Sequence, residues 1–182
     1  MIYVFLAPGF EEIEALAVVD VLRRAELDVV TVGVGEDFVI GSHQIPVVAD
    51  IYERDLVLDE KVQAIVLPGG MPGTLNLEKS PVVQKAIDWA IENEKLVCAI
   101  CAAPSILGHK GLLKGKEATA FPGFEEELIG AKLSEKFVAR DGNIITARGM
   151  GSSIEFGLQI AEALAGERTA KKIRASLQIY NG

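Results

Sequence analysis

The chain is poor in the residues that staple, chelate or anchor a protein. Of its 182 residues only two are cysteine and two are histidine. Cys98 and Cys101 stand three apart, a spacing that makes no disulfide framework. Positive charge is also scarce, with 18 Lys and Arg against 26 Asp and Glu and a formal charge of −8. Such an acidic surface argues against nucleic acid or an anionic membrane as the main partner. No apolar run approaches the roughly 20 residues that cross a bilayer. Met1 leads straight into a strand pattern without a leader-like segment, so a reducing cytoplasm is the expected compartment. Internal repeats, low-complexity tracts and linkers are missing too, and residues 1–182 read as one domain.

What is present is an alternation of strand and helix patterns. Ile2 to Ala7 is wholly apolar, as a strand covered on both faces is. Glu11 to Ala25 is helical in pattern, with acids in its first turn and Arg23 and Arg24 in its last. Leu27 to Val34 reads as the second strand. Phe38–Ile40 and Ile45–Ala49 flank a hairpin-like excursion with His43 in its turn, and Asp50 to Leu58 reads as helical or irregular. Ala64 to Leu67 is a third buried strand, ended by Pro68-Gly69-Gly70. Ser80-Pro81 opens a helix that runs to about Asn93. Leu96 to Ile100 is again a strand, followed by a helix ending near His109. Ala118 to Ala120 reads as a short strand and Phe124 to Leu128 as an acidic helix. Arg140-Asp141-Gly142 turns a hairpin between Lys136–Ala139 and Asn143–Ala147. Ser152 and Glu155 read as a capping box that opens the helix Ser153 to Ala165, and a last helix covers about Glu167 to Ser176.

This alternation predicts a doubly wound, mostly parallel α/β sheet sandwiched between helices. Ligands of such folds bind beyond the carboxyl ends of the strands. Cys101 belongs at that edge. Ala99, Ala102 and Ala103 surround it in the small-x-nucleophile-x-small layout of a nucleophile elbow, with cysteine in the place of serine. The start of the next helix is expected to favour its thiolate, whereas Cys98, in mid-strand, reads as core. Glu14 shares an apolar stripe with Val18 and Val21, so it is either the solvated end of that face or a buried acid of raised pKa. Gly69-Gly70 either presents free N–H groups to a ligand or makes a plain turn. Arg148-Gly149 falls at the same edge. Gly149-x-Gly151 is no dinucleotide fingerprint, because Ile154 stands where the third glycine belongs.

APGFEEIEA near the start, LPGG at 67–70, AICAAP at 99–104 and RGMGSSIEFG at 148–157 together resemble the ThiJ/PfpI superfamily. The likeness is greatest to its branch containing the Parkinson-disease-associated protein deglycase and to the bacterial ThiJ-like branch. The resemblance implies a flavodoxin-like fold and a homodimer. It implies that Cys101 is the reactive cysteine, Glu14 the acid bonded to it, and Gly70 and Ala102 the backbone donors around the sulfur. It places Gly69, Arg23, Arg24 and Arg148 near the pocket or the dimer edge. His43 stands where the family usually has an arginine reaching across the dimer. Phe121 stands where the deglycase has a histidine, so the Cys–His–Glu set of that protein is incomplete here.

Two functions fit these residues. One is cofactor-free and metal-free glyoxalase or deglycase chemistry on a small dicarbonyl or a glycated substrate, with a Cys101 thiolate and a protonated Glu14. The other is a redox sensor or oxidation-activated chaperone working through oxidation of Cys101. A peptidase ranks below both, since Ala102 rather than histidine follows the cysteine.

Overall fold

In the first strand Ile2, Val4 and Leu6 face one side and Tyr3 and Phe5 the other, all buried. A strand apolar on both faces needs helices on both, and the chain supplies them. The computed structural model describes residues 1–179. The strands there are β1 (Ile2–Leu6), β2 (Val29–Gly33), β3 (Phe38–Ile40), β4 (Pro46–Val48), β5 (Ile51–Tyr52), β6 (Ala64–Leu67), β7 (Leu96–Ile100), β8 (Glu117–Ala118), β9 (Lys132–Leu133), β10 (Val138–Asp141) and β11 (Ile144–Ala147). The helices are α1 (Glu12–Arg24), α2 (Gly73–Lys79), α3 (Pro81–Glu92), α4 (Pro104–His109), α5 (Ser153–Ala165) and α6 (Glu167–Ser176).

Seven strands form the central sheet in the order β10-β11-β7-β6-β1-β2-β5. All pairs are parallel except the edge pair of β10 with β11. The chain winds from β1 to β2 in one direction and then crosses to β6 on the other side of β1. The crevice beyond β1 and β6 is therefore the topological switch point, where doubly wound sheets take ligands. Helices α1 and α5 cover one face, with Val18, Leu22, Phe156 and Ile160 packed on Ile2, Val4 and Leu6. Cys98 is part of this core and fully buried. On the other face Leu77, Val83, Ile87 and Ile106 pack on Tyr3, Phe5 and Ile65.

Several local expectations are corrected. The capping box is not formed. A single 3-10 turn over Met150–Ser152 precedes α5, so the Ser152 hydroxyl turns back to donate to the Gly149 carbonyl at 2.8 Å, and Glu155 pairs with Arg174 instead. The acidic segment forms only one 3-10 turn, Glu125–Glu127, because three successive like charges with little apolar cover do not propagate a helix. The short strand after α4 is Glu117–Ala118, and it pairs with β9 outside the main sheet. Helix α2 was unexpected, its seven residues beginning on a Pro-Gly step that reads as loop. Asp50 to Leu58, read as helical or irregular, is so from Glu53, with a 3-10 turn over Glu53–Asp55, but it also contains β5, which adds the outer edge to β2.

Phe156 is fully buried between α5 and the sheet. Phe156→Ala is expected to cost roughly 3–5 kcal/mol, read as a lower denaturation midpoint at constant m-value.

Candidate active site

Each functional residue sits where a parallel strand ends. Cys101 follows β7 directly and adopts φ 64, a left-handed conformation that costs a non-glycine residue energy. Two backbone bonds hold it there. Its N–H donates to Ala147 O at the end of β11 at 2.9 Å, and its carbonyl accepts from Phe121 N at 2.8 Å. Glu14 comes from the first turn of α1, just past β1, and is 1% exposed. Its own N–H is capped by Glu11 Oε2 at 2.7 Å, and its Oε2 accepts from Gly69 N at 2.8 Å. Gly69 closes the triangle from the end of β6. A Cβ on Gly69 would lie 2.6 Å from both Cys101 Cβ and Glu14 Oε2, so no other residue fits between the acid and the sulfur. Gly70 takes φ +88, which a side chain would strain. The backbone N–H groups of Gly70 and Ala102 favour negative charge on the Cys101 sulfur.

The electrostatics follow from burial. Desolvation pushes Glu14 up to about 7, with the bonds from Cys101 and Gly69 only partly offsetting it. The Cys101 thiol is pushed up to about 12 by burial first, then by the Glu14 charge and hydrogen bond, against the opposing pull of the Ala102 and Gly70 N–H groups. The expected low-pKa thiol at a helix end is therefore corrected. Helix α4 is only six residues long and starts three residues past the sulfur, and burial outweighs it. Two of the three raising influences on Cys101 exist only while Glu14 is ionised. Glu14 and Cys101 thus form a pair that holds one proton over a wide pH range, and the apparent values belong to the pair. Glu14 Oε1 is buried and has no hydrogen-bond partner. A proton on it would be donated to sulfur and would leave a thiolate.

The other sequence-derived candidates divide. Phe121 and Arg148 line a cavity at the same sheet edge. His43 lies beside the start of α1, but its ring bonds Glu12 Oε2 at 2.9 Å rather than Cys101, and its side chain is mostly exposed. Arg23 and Arg24 pair with Asp50 and Asp20. They lie nine and ten residues along α1 from Glu14, roughly 14 Å along the axis, so the chain does not bring these two arginines to its own cysteine. Glu11, Glu12 and His43 place ligand atoms within 4.8 Å of one another. Glu12, however, already accepts from the His43 and Ile45 N–H groups and from Ser42, which ties the hairpin turn to α1. His109, read as a helix-end residue, bridges Glu78 and Glu127 through its two ring nitrogens. Two residues escaped sequence reading, Glu11 as the cap of Glu14 and Phe137 opposite Phe121 in the cavity. Phe137 sits in a short hairpin with no motif to mark it.

This fold and site define a flavodoxin-like α/β protein with a cysteine on a strained elbow beside a buried acid. The chain belongs to the DJ-1/PfpI family, which residues 1–163 match. It is 36% identical to a Parkinson disease protein 7 homolog of Danio rerio, over 96% of this chain and 94% of that protein. It is 30% identical to the Caenorhabditis elegans protein named glutathione-independent glyoxalase DJR-1.2, over 86% of this chain and 83% of that one. The crystal structure of Drosophila melanogaster DJ-1beta superposes with a TM-score of 0.91 at 34% identity, covering 98% of this chain and 97% of that chain.

Glu14→Gln tests the pairing by two readouts. A carboxyl raised on folding adds stability that is complete below the unfolded value near 4.5 and is lost as pH rises through about 7. Wild type should therefore lose roughly 3 kcal/mol across that window, and the variant should not. The glutamine also removes the neighbouring charge, so the Cys101 titration, followed by thiolate absorbance against a Cys101→Ser blank, should fall below about 12. A variant titrating where wild type does would mean that the two groups are uncoupled.

Proposed function

We propose that the chain is a cofactor-independent enzyme of reactive-carbonyl defence, working in the reducing cytoplasm on methylglyoxal, glyoxal or their adducts. The observation that carries this reading is the buried Glu14 carboxyl, held beside Cys101 by Gly69 in the switch-point crevice. In the thiolate–carboxylic acid form, Cys101 Sγ attacks the aldehyde carbon, and the Glu14 proton passes to the carbonyl oxygen to give a hemithioacetal. The Glu14 carboxylate then removes the hydrogen from that carbon, giving an enediolate. Return of that proton to the neighbouring carbon, with the hydroxyl proton of the first carbon passing to the oxygen of the second, yields a thioester of the 2-hydroxy acid. Water cleaves this thioester, releasing the acid and the free cysteine. The aldehyde carbon is oxidised and the ketone carbon reduced within one molecule, so no external redox partner is consumed. With Phe121 in place of a histidine, Glu14 is the group that carries these proton transfers. The glyoxalase name of the Caenorhabditis elegans relative supports the reading.

A second reading is a redox sensor or oxidation-activated chaperone. One observation favours it: the unpartnered Glu14 Oε1, when protonated, could bond a sulfinate oxygen as readily as a thiolate.

We also propose a homodimer. Ile13 and Leu16 of α1 and Ile40, Ile45 and Val48 of the β3–β4 hairpin are large apolar side chains left in water, Val48 at 70% exposure. The hairpin is fastened to the start of α1 by Gly9 N to Ile40 O and Ser42 N to Phe10 O, both at 2.8 Å. These residues thus belong to one face, of the kind that a partner covers. On this reading His43 approaches the partner's cysteine pocket.

Lactate formation from methylglyoxal should be absent in Cys101→Ser and about 100-fold or more slower in Glu14→Gln. Sulfinate formation on Cys101 without any lactate would favour the sensor. Sedimentation should show two chains for wild type and one for Val48→Asp, and a monomeric wild type would remove the dimer.

A further inference from the structure

Beside the elbow, the segments at Phe121–Pro122, Phe137 and Arg148–Ser152 line an open cavity of about 550 Å³. This is larger than a three-carbon dicarbonyl needs and lies within the usual range for small-molecule sites. Its walls are Phe121, Pro122, Phe137, Gly149 and Met150, with Arg148 as the one charged side chain. Phe121 is 47% exposed and Phe137 67% exposed, so two aromatic faces are left to water around one concavity. Gly149 lets the Phe121 ring lie close against the chain, since a Cβ there would be 3.1 Å from Phe121 Cδ2. The Arg148 guanidinium stands over the Phe137 ring, 5.7 Å from its centroid. Among the described residues it has no ion pair and no side-chain hydrogen bond. Glu125, whose carboxylate feels its charge, is engaged instead as acceptor of Gly123 N at 2.6 Å. A half-buried fork of five donors in an apolar cavity, within a chain that carries an excess of acids, lacks its anion.

We propose that this cavity is a subsite for a planar aryl carboxylate, its ring against Phe121 and Phe137 and its carboxylate on Arg148. The subsite adjoins the reactive centre through backbone, because Phe121 N donates to the Cys101 carbonyl. Resting on the dicarbonyl reading above, it adds to the substrate class α-oxo aldehydes whose far end is a flat, carboxylated ring. A guanidinium pairs with a carboxylate through two parallel bonds, which a neutral amide of the same shape cannot match.

The test uses benzoate and benzamide as probes at constant ionic strength, without turnover. Backbone amide shifts of Phe121, Gly149 and Gly151 are followed in wild type, Arg148→Met and Phe137→Ala. Benzoate should shift these amides saturably, and benzamide should bind at least about tenfold more weakly. Arg148→Met should reduce benzoate to the benzamide level, and Phe137→Ala should weaken both. Both altered side chains line the cavity, and unchanged far-ultraviolet dichroism checks the fold. Equal binding of the two probes, shifts unaffected by Arg148→Met, or no localised shifts would overturn the proposal. In turnover, 4-carboxyphenylglyoxal should exceed phenylglyoxal in kcat/KM by a similar factor, with the advantage lost in Arg148→Met. If methylglyoxal is consumed but benzoate does not bind, the subsite alone falls. If benzoate binds as expected but no dicarbonyl is consumed, the subsite stands and the enzymatic reading falls.

Discussion

Cys101 and Glu14 cannot both be ionised without a large penalty, and much of the local structure serves to keep them in contact. A buried carboxylate and a buried thiolate repel in a medium of low dielectric. Held apart, each would titrate alone. Held together, they share one proton, and moving it converts an inert thiol into a nucleophile while creating the acid that the next step needs. The contact depends on Gly69, where a side chain would collide with both partners. It depends equally on the left-handed backbone of Cys101, fixed from both sides by Ala147 and Phe121.

Two neighbouring acids on α1 show how finely donors decide the outcome. Glu12 and Glu14 are 2% and 1% exposed. Burial raises the Glu12 carboxyl, but bonds from the His43 ring and from the Glu12, His43 and Ile45 N–H groups outweigh it and leave the group below its ordinary value. Glu14 has the Gly69 N–H and the Cys101 thiol, and burial wins. Glu12 is thus a structural tie between α1 and the hairpin. Glu14 keeps an unsatisfied oxygen, a cost that a purely structural acid would not carry. Both acids reach their places because the switch point directs α1 away from β1 over the same crevice that receives the ends of β6 and β7.

The alternation of apolar runs and helical patterns was enough to read the doubly wound sheet, since strands covered on both faces must be apolar throughout. Ala99-Ile100-Cys101-Ala102-Ala103 was legible as an elbow because only small residues suit so tight a turn. The misread elements are short or carry weak local signals: α2 on its Pro-Gly start, the lone 3-10 turn of Glu125–Glu127, and Ser152, whose hydroxyl turned back to Gly149. In each, local alternatives of similar energy competed, as the Ser152 hydroxyl shows by choosing the Gly149 carbonyl over a cap of α5.

By itself the sequence determined which residues could do chemistry, because scarcity is visible in it: two cysteines, one of them on an elbow, and an acid on an apolar stripe. It left open whether Glu14 was solvated or buried and whether Gly69-Gly70 was a site or a turn. It also suggested a low pKa for Cys101 that the surroundings do not give. Only the tertiary structure decided these, since burial, the number of donors around a carboxylate and the room left for a Cβ depend on segments 55 and 87 residues away from Glu14 in the chain. Desolvation is a property of what surrounds a group in space, and no local pattern encodes it.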